Sequence, residues 1–259
     1  MSRCETTNYV HGGVMGSELL GIQIDAAINS GNSGGPVFNS RGECVGVAFQ
    51  SMSGSGEAEG IGWIIPVLVL EHFLEDFRRN GRFLGFPCLG VEWQKMESPS
   101  LRAALKMNSS SGGGGGCDRG GGGGGSGRGR GGVAPSSSSS SLLLKGVYCR
   151  KVEPTAPVAA VVKAGDVLLA FDDVEIGVDG TVPFRSGERI SYSFLVSRKF
   201  IGDRANLRLL RDGEVMEVET ELAAPYRLVP AHLSGKPPSY FVFGGLVFTA
   251  LSAPYLRAT

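Results

Sequence analysis

The sequence is poor in histidine, in paired cysteine and in long apolar runs. It has only three histidines, His11, His72 and His232. Its five cysteines, Cys4, Cys44, Cys88, Cys117 and Cys149, are odd in number and stand at least 29 residues apart without any Cys-x-x-Cys, which excludes a zinc ribbon and fits a reducing compartment. No metal and no organic cofactor is expected. The longest apolar runs, such as Ile61 to Leu70, are interrupted by Gly or Pro within about ten residues, short of the ~20 that a membrane-spanning helix needs. The first thirty residues show neither a charged start followed by an apolar segment nor an Arg/Ser-rich amphipathic stretch, so no targeting signal is legible there. The 25 Lys and Arg cancel the 25 Asp and Glu, and without a global basic field nucleic acid is not expected as the main partner.

Glycine is in excess, at 41 of 259 residues, but 15 of these fall between Ser109 and Ser141. That stretch is almost pure Gly and Ser, offers too few apolar groups to offset its ordering entropy, and is expected to be a disordered insert. Its Gly127-Arg128-Gly129-Arg130 piece resembles RNA-binding Arg/Gly segments, yet carries no aromatic residues, and a tolerated loop expansion is the simpler reading.

The rest reads as mostly β. Short apolar runs at Gly21 to Asp25, Pro36 to Phe38, Cys44 to Gln50 and Gly60 to Ile65, broken by Gly, Asn and Ser, suggest an antiparallel barrel or sandwich. After Pro66 the period changes. Leu70, Phe73, Leu74 and Phe77 fall at helical spacing, and Asn80-Gly81 stops the helix, whose apolar side is expected to pack on the barrel, with His72 facing out. A second unit begins near Phe83. Strands are expected at Gly146 to Val152 and Asp166 to Phe171, a helix over Ser191 to Phe200, and a hairpin turning at Asp212-Gly213, with Val218, Thr220 and Leu222 on the core side.

The sharpest chemical signal is Gly31-Asn32-Ser33-Gly34-Gly35-Pro36. A serine hydroxyl is a poor nucleophile unless a base takes its proton and backbone N–H groups hold the developing oxyanion. Gly31 allows the bend that aims its own N–H and that of Ser33 into one hole, and Gly34-Gly35 lets a substrate chain approach. A solvated Gly-rich turn is the competing reading.

With this loop, and with Gly60-Ile61-Gly62-Trp63-Ile64-Ile65-Pro66 after it, the sequence resembles the Deg/HtrA serine endopeptidases, chymotrypsin-like barrels followed by PDZ domains. Within that family Phe86-Pro87-Cys88-Leu89-Gly90-Val91-Glu92-Trp93, Asp179-Gly180-Thr181-Val182-Pro183-Phe184-Arg185 and Gly235-Lys236-Pro237-Pro238-Ser239-Tyr240-Phe241 are similar to the plant and green-algal branch. The resemblance implies the C-terminal part of a trypsin-like barrel over residues 1–82 and a PDZ domain over 83–225 carrying the 109–141 insert. Residues 226–259 would be a linker and a second PDZ opening, cut short, whose exposed strand would pair with the first PDZ unit or aggregate. It implies Ser33 as nucleophile, with Gly31 and Asn32 shaping its loop. Ile28, Asn29, Val47 and Phe49 would line the pocket for the residue before the cut, although Val47 and Phe49 read equally well as barrel core. Leu89, Gly90 and Val91 would form the loop that captures a peptide carboxylate, with Leu89 and Val91 alternatively plain core residues.

Two features depart from the family pattern. Ser30 stands where Pro is usual and Trp63 where Phe is usual. More consequentially, only 32 residues precede Ser33, whereas a six-stranded barrel carrying the triad His and Asp needs about 80. The first barrel is therefore expected to be missing and Met1 to fall mid-barrel, as in a piece of a longer chain. His11, His72, His232 and Asp25 are not expected to complete a triad. The implied partners are peptide or unfolded-protein substrates and C-terminal peptides, with homo-oligomers in the full-length form. The compartment is left open between nucleus, chloroplast and mitochondrion.

Overall fold

A computed structural model describes residues 3–7, 18–26, 28, 31–51, 62–107, 145–224, 229–230, 233 and 236–258. The 109–141 insert, Asn29, Ser30, His11 and His232 lie outside them.

The first unit is one antiparallel sheet. Strands β1 (Arg3–Thr7), β2 (Leu19–Ile24), β3 (Pro36–Phe38), β4 (Cys44–Ser51) and β5 (Gly62–Pro66) pair in the order β1-β2-β5-β4-β3. Register is fixed by apolar residues on the covered face. Ile64 stands opposite Ile22 on one side and Ala48 on the other, and Ile28, Ala48 and Ile64 form a small core with Ile22, Ile24, Val37 and Val45 around it. Gly46 is required by close approach, since a Cβ there would come within 2.3 Å of the Ile65 carbonyl oxygen.

Helix α1 (Val67–Asn80) starts directly after Pro66 and ends at Gly81, whose left-handed φ of 67° lets its N–H bond the Phe77 carbonyl. The apolar side expected to be buried is not. Phe73, Leu74 and Phe77 are exposed, and the buried residues are His72 and Asp76. The reason is that these two polar groups find partners in the following segment and, for His72, in the turn after Ser197 as well. Asp76 accepts the Leu84 N–H at 2.6 Å and the Asn80 amide at 2.7 Å. His72 is sandwiched between the rings of Phe86 (4.5 Å) and Phe200 (4.2 Å), and its Nε2 sits 2.9 Å from the Lys199 carbonyl.

The second unit contains strands β6 (Val91–Gln94), β7 (Val147–Val152), β8 (Val167–Phe171), β9 (Val174–Glu175), β12 (Arg204–Arg211) and β13 (Glu214–Glu221), ordered β13-β12-β8-β7-β6 with β9 on β8. Helix α2 (Pro99–Ala104) follows β6. The hairpin β10 (Thr181–Arg185) and β11 (Glu188–Ser191) leads into α3 (Ser193–Ser197), a shorter helix than the Ser191 to Phe200 expected, because Arg198 to Gly202 turn to enter β12. Asp212 (φ 53°) and Gly213 (φ 92°) make the two-residue turn between β12 and β13. Thr220 and Leu222 are buried and Val218 packs against the core. One face of the sheet buries Cys149, Leu168, Phe171, Leu207 and Leu209; the other buries Met96, Met107, Val167, Leu169 and Leu210. Asp166, 3% exposed in its side chain, takes a bidentate grip from Arg211 at 2.8 and 2.7 Å.

After β13 comes a hairpin of β14 (Tyr240–Phe243) and β15 (Leu246–Thr249), then α4 (Ala253–Ala258). Of the two outcomes the sequence suggests for this hairpin's exposed strand, pairing with the PDZ unit or aggregation, the first is not seen. Among the described residues the hairpin's strands pair only with each other, and every residue of both is exposed.

Candidate active site and peptide groove

Residues 31–34 form an exposed turn between the end of the β2 connection and β3. Gly31 (φ 108°) and Gly34 (φ 85°) both occupy the left-handed region that a side chain would strain. The turn is pinned from behind. Gly34 N–H donates to the Ala48 carbonyl at 2.7 Å, Ala48 N–H returns to Gly35 at 2.9 Å, and Gly35 N–H bonds the Asn32 carbonyl at 3.0 Å. These bonds fix Ser33 at the tip, between two glycines. Strand β4 is thus the rear support of the serine, and Val47, opposite Pro36, stands beside the same loop. Val47 and Phe49 are half-buried, with Phe49 at a register shift in β4. Ile28, 6% exposed, belongs to the core beside Ala48 and Ile64. Asn29 lies outside the described residues.

Among the described residues no imidazole is available to Ser33. His72 is the one described histidine, and its ring is held by Phe86, Phe200 and Lys199. Asp25 sits in an exposed bend after β2. No group of three His, Cys, Asp or Glu among the described residues is placed to hold a metal ion, and no described helix is long and apolar enough to cross a membrane.

In the second unit, Cys88 anchors the Leu89-Gly90-Val91 segment by bonding its N–H to the Ala223 carbonyl at 3.0 Å. Gly90 (φ 75°) turns the chain, gives its N–H to the Cys88 sulfur at 3.2 Å and accepts the Glu153 N–H at 2.8 Å. Leu89 is buried in the main core and Val91 packs on it. Among the described residues strand β6 pairs only with β7, and its other edge has no described strand beside it, the arrangement an added peptide strand would use. The Trp93 ring stands 5.6 Å from that of Tyr192, at the start of α3.

Sequence reasoning did not find the contacts that join the two units. The Glu18 carboxylate accepts from Thr6 at 3.1 Å and from Ser193, on α3, at 2.8 Å. A cavity of about 250 Å³ between α1 and α3 is lined by Leu20, Val69, His72, Phe86, Phe194 and Phe200 among others; none of residues 31–36 lines it. Adjacent polar residues 175 positions apart carry no local signal.

The folded chain is therefore a sheet presenting a glycine-framed serine, joined to a β unit with an edge strand and a glycine-turned loop. Comparison with known proteins agrees. The trypsin-like peptidase domain profile matches residues 3–47, and PDZ domain profiles match 89–222 and 229–259. The chain is 46% identical over 257 residues to Protease Do-like 2, chloroplastic, of Arabidopsis thaliana, covering 99% of this chain and 36% of the relative. It is 36% identical over 259 residues to Protease Do-like 4, mitochondrial, of the same plant, covering all of this chain and 42% of the relative. A solved HtrA-type protease, AlgW with a tripeptide, shares the fold at 22% identity and a TM-score of 0.52, over 80% of this chain and 54% of that one. The chain belongs to the Deg/HtrA, protease Do-like family, and it spans less than half the length of the curated relatives named here.

Proposed function

We propose that this chain carries the nucleophile and peptide-recognition parts of an ATP-independent serine endopeptidase. Ser33 is the nucleophile, and the N–H groups of Gly31 and Ser33 form the oxyanion hole. The observation that carries this reading is the pinned 31–34 turn, with Gly31 and Gly34 at positive φ and Gly34 bonded to Ala48. Hydrolysis would proceed by attack of the Ser33 oxygen on a peptide carbonyl, loss of the amine, and attack of water on the acyl group. Ile28, Val47 and Phe49 would line the pocket for the residue before the cut and favour small aliphatic side chains there. The substrates are peptides or unfolded proteins, and by kinship with organellar relatives the compartment is a chloroplast or mitochondrion.

By itself the chain should be inactive, because the one described histidine, His72, is held by Phe86, Phe200 and Lys199, neither His11 nor His232 falls where the family resemblance puts the triad base, and loss of the base costs ~10⁶ in turnover. A fluorophosphonate probe offered to the purified 259-residue chain should leave Ser33 unmodified, and stoichiometric labelling would overturn this reading.

A second reading, a non-catalytic peptide binder, is favoured by the edge of β6 that has no described strand beside it, next to the Leu89-Gly90-Val91 loop. Binding of a peptide with a free C-terminal carboxylate, lost when that carboxylate is amidated, supports the loop as the capture site. A longer natural chain that contains a His and an Asp strand and cleaves peptides favours the enzyme.

A further inference from the structure

We propose that the cavity between α1 and α3 is a binding site for a small, planar, uncharged aromatic molecule that carries one hydrogen-bond donor. The cavity measures about 250 Å³, and its walls come from both units: Leu20 from β2, Val69 and His72 from α1, Phe86 from the connection that follows, and Phe194 and Phe200 from α3 and the turn after it. A cavity of about 150 Å³ holds benzene, so two fused rings are the size that fits here. The walls are mostly aromatic and aliphatic, and a flat ring packed against other rings gains more than its buried area alone.

His72 sets the polar requirement. It is 8% exposed, its two ring faces are covered by Phe86 and Phe200, and its Nε2 lies 2.9 Å from the Lys199 carbonyl. A carbonyl only accepts, so in the neutral ring Nε2 carries the proton and Nδ1 is left as a bare acceptor. Among the described residues this Nδ1 is the one buried side-chain nitrogen or oxygen without a hydrogen-bond partner. An unmatched buried acceptor is costly, and an N–H or O–H brought into the cavity that His72 lines would satisfy it. The charges argue against an ion. Glu71 and Glu75 stand on the α1 side of the wall and Arg198 on the α3 side, so a ligand of either sign would leave water to meet a like charge. Because the walls belong to both units, an occupant would hold them together. No residue of the Ser33 loop or of the Leu89-Gly90-Val91 segment takes part, so failure of this inference leaves the proteolytic reading untouched.

Titration of the 259-residue chain with indole, followed by ligand-observed NMR, tests it, with benzofuran as the isostere that lacks the donor. Indole is expected to bind saturably and about ten-fold more tightly than benzofuran, the difference that one hydrogen bond to a buried, otherwise unmatched acceptor makes. His72→Phe keeps a ring between Phe86 and Phe200 but removes Nδ1, and should bring indole down to the affinity of benzofuran while leaving benzofuran unchanged. Val69→Phe puts a ring into the space itself and should abolish binding of both, with circular dichroism checking that the fold is intact. Should either variant fail to fold, the two ligands compared on the native sequence decide alone. Absence of saturable indole binding overturns the proposal and leaves the cavity to water. Benzofuran binding as tightly as indole, or indole binding that survives Val69→Phe, overturns it as well.

Discussion

The Ser193 hydroxyl donates to the Glu18 carboxylate at 2.8 Å, tying α3 of the second unit to the residue that opens β2 of the first. Thr6 donates to the same carboxylate oxygen from β1, and Ser193 lies 2.9 Å from Ser191. This half-buried cluster, with the Phe86-His72-Phe200 stack, holds α3 against the sheet that supports Ser33.

Removing one donor from that cluster should be felt. Ser193→Ala leaves Glu18 half-buried with one hydrogen bond fewer, costing about 1 kcal/mol. For a chain of this size the thermal midpoint should fall by about 2–4 °C in scanning calorimetry. An unchanged midpoint would mean that the two units are held by their apolar contacts alone.

Asp166 and Arg208 set a contrast between a buried and an exposed ion pair. Asp166→Asn removes the charge that grips Arg211 and weakens the bond from the Lys163 N–H at 2.7 Å. Because Arg211 is a quarter exposed, the loss is below that of a fully buried pair, about 2–3 kcal/mol. Arg208→Gln breaks a 3.5 Å pair with the half-exposed Glu175 and should cost no more than about 0.5 kcal/mol. Urea unfolding of both variants measures the difference, and equal losses would refute it.

Much of this fold was legible in the sequence because its signals are local. Asp212-Gly213 announces its own turn, Gly81 its helix stop, and the alternation before Leu222 its buried face. The glycines around Ser33 likewise mark a loop whose geometry each needs for itself. What escaped was non-local. The stripe of α1 is truly apolar, but which side of a helix is buried depends on what arrives there, and here Leu84, Phe86 and Phe200 arrive on the side of His72 and Asp76. No periodicity within the helix contains that information. For Leu89 the sequence left slot and core open together, and its burial among core residues satisfies the second without removing it from the loop.

Gly90 is needed twice over. Its φ of 75° disfavours any side chain, and a Cβ would lie 2.6 Å from that of Ala156. Gly90→Ala should therefore cost about 2 kcal/mol or more in urea unfolding. Adding Ala156→Gly removes the collision but leaves the backbone strain, so it should recover only part of the loss. Full recovery would show that the conformation itself costs nothing.

Burial pushes the Cys149 thiol up from 9.0 to about 12, with the nearby Asp166 charge acting in the same direction. The folded chain therefore retains this proton where the unfolded chain has released it. The stability contributed is fully present below pH 9 and is lost as pH rises from about 9 toward 12, at up to about 1.4 kcal/mol per pH unit. Urea midpoints at pH 8.5 and pH 10.5 should differ more for the native sequence than for Cys149→Ala, whose own destabilisation appears at both pH values. At pH 8.5 a small maleimide should modify the exposed Cys44 rapidly and Cys149 only after urea is added, because the buried thiol neither ionises nor meets the reagent. Equal pH sensitivity in the two proteins would place the alkaline transition elsewhere, and rapid labelling of Cys149 without denaturant would show that the core of the second unit opens around it.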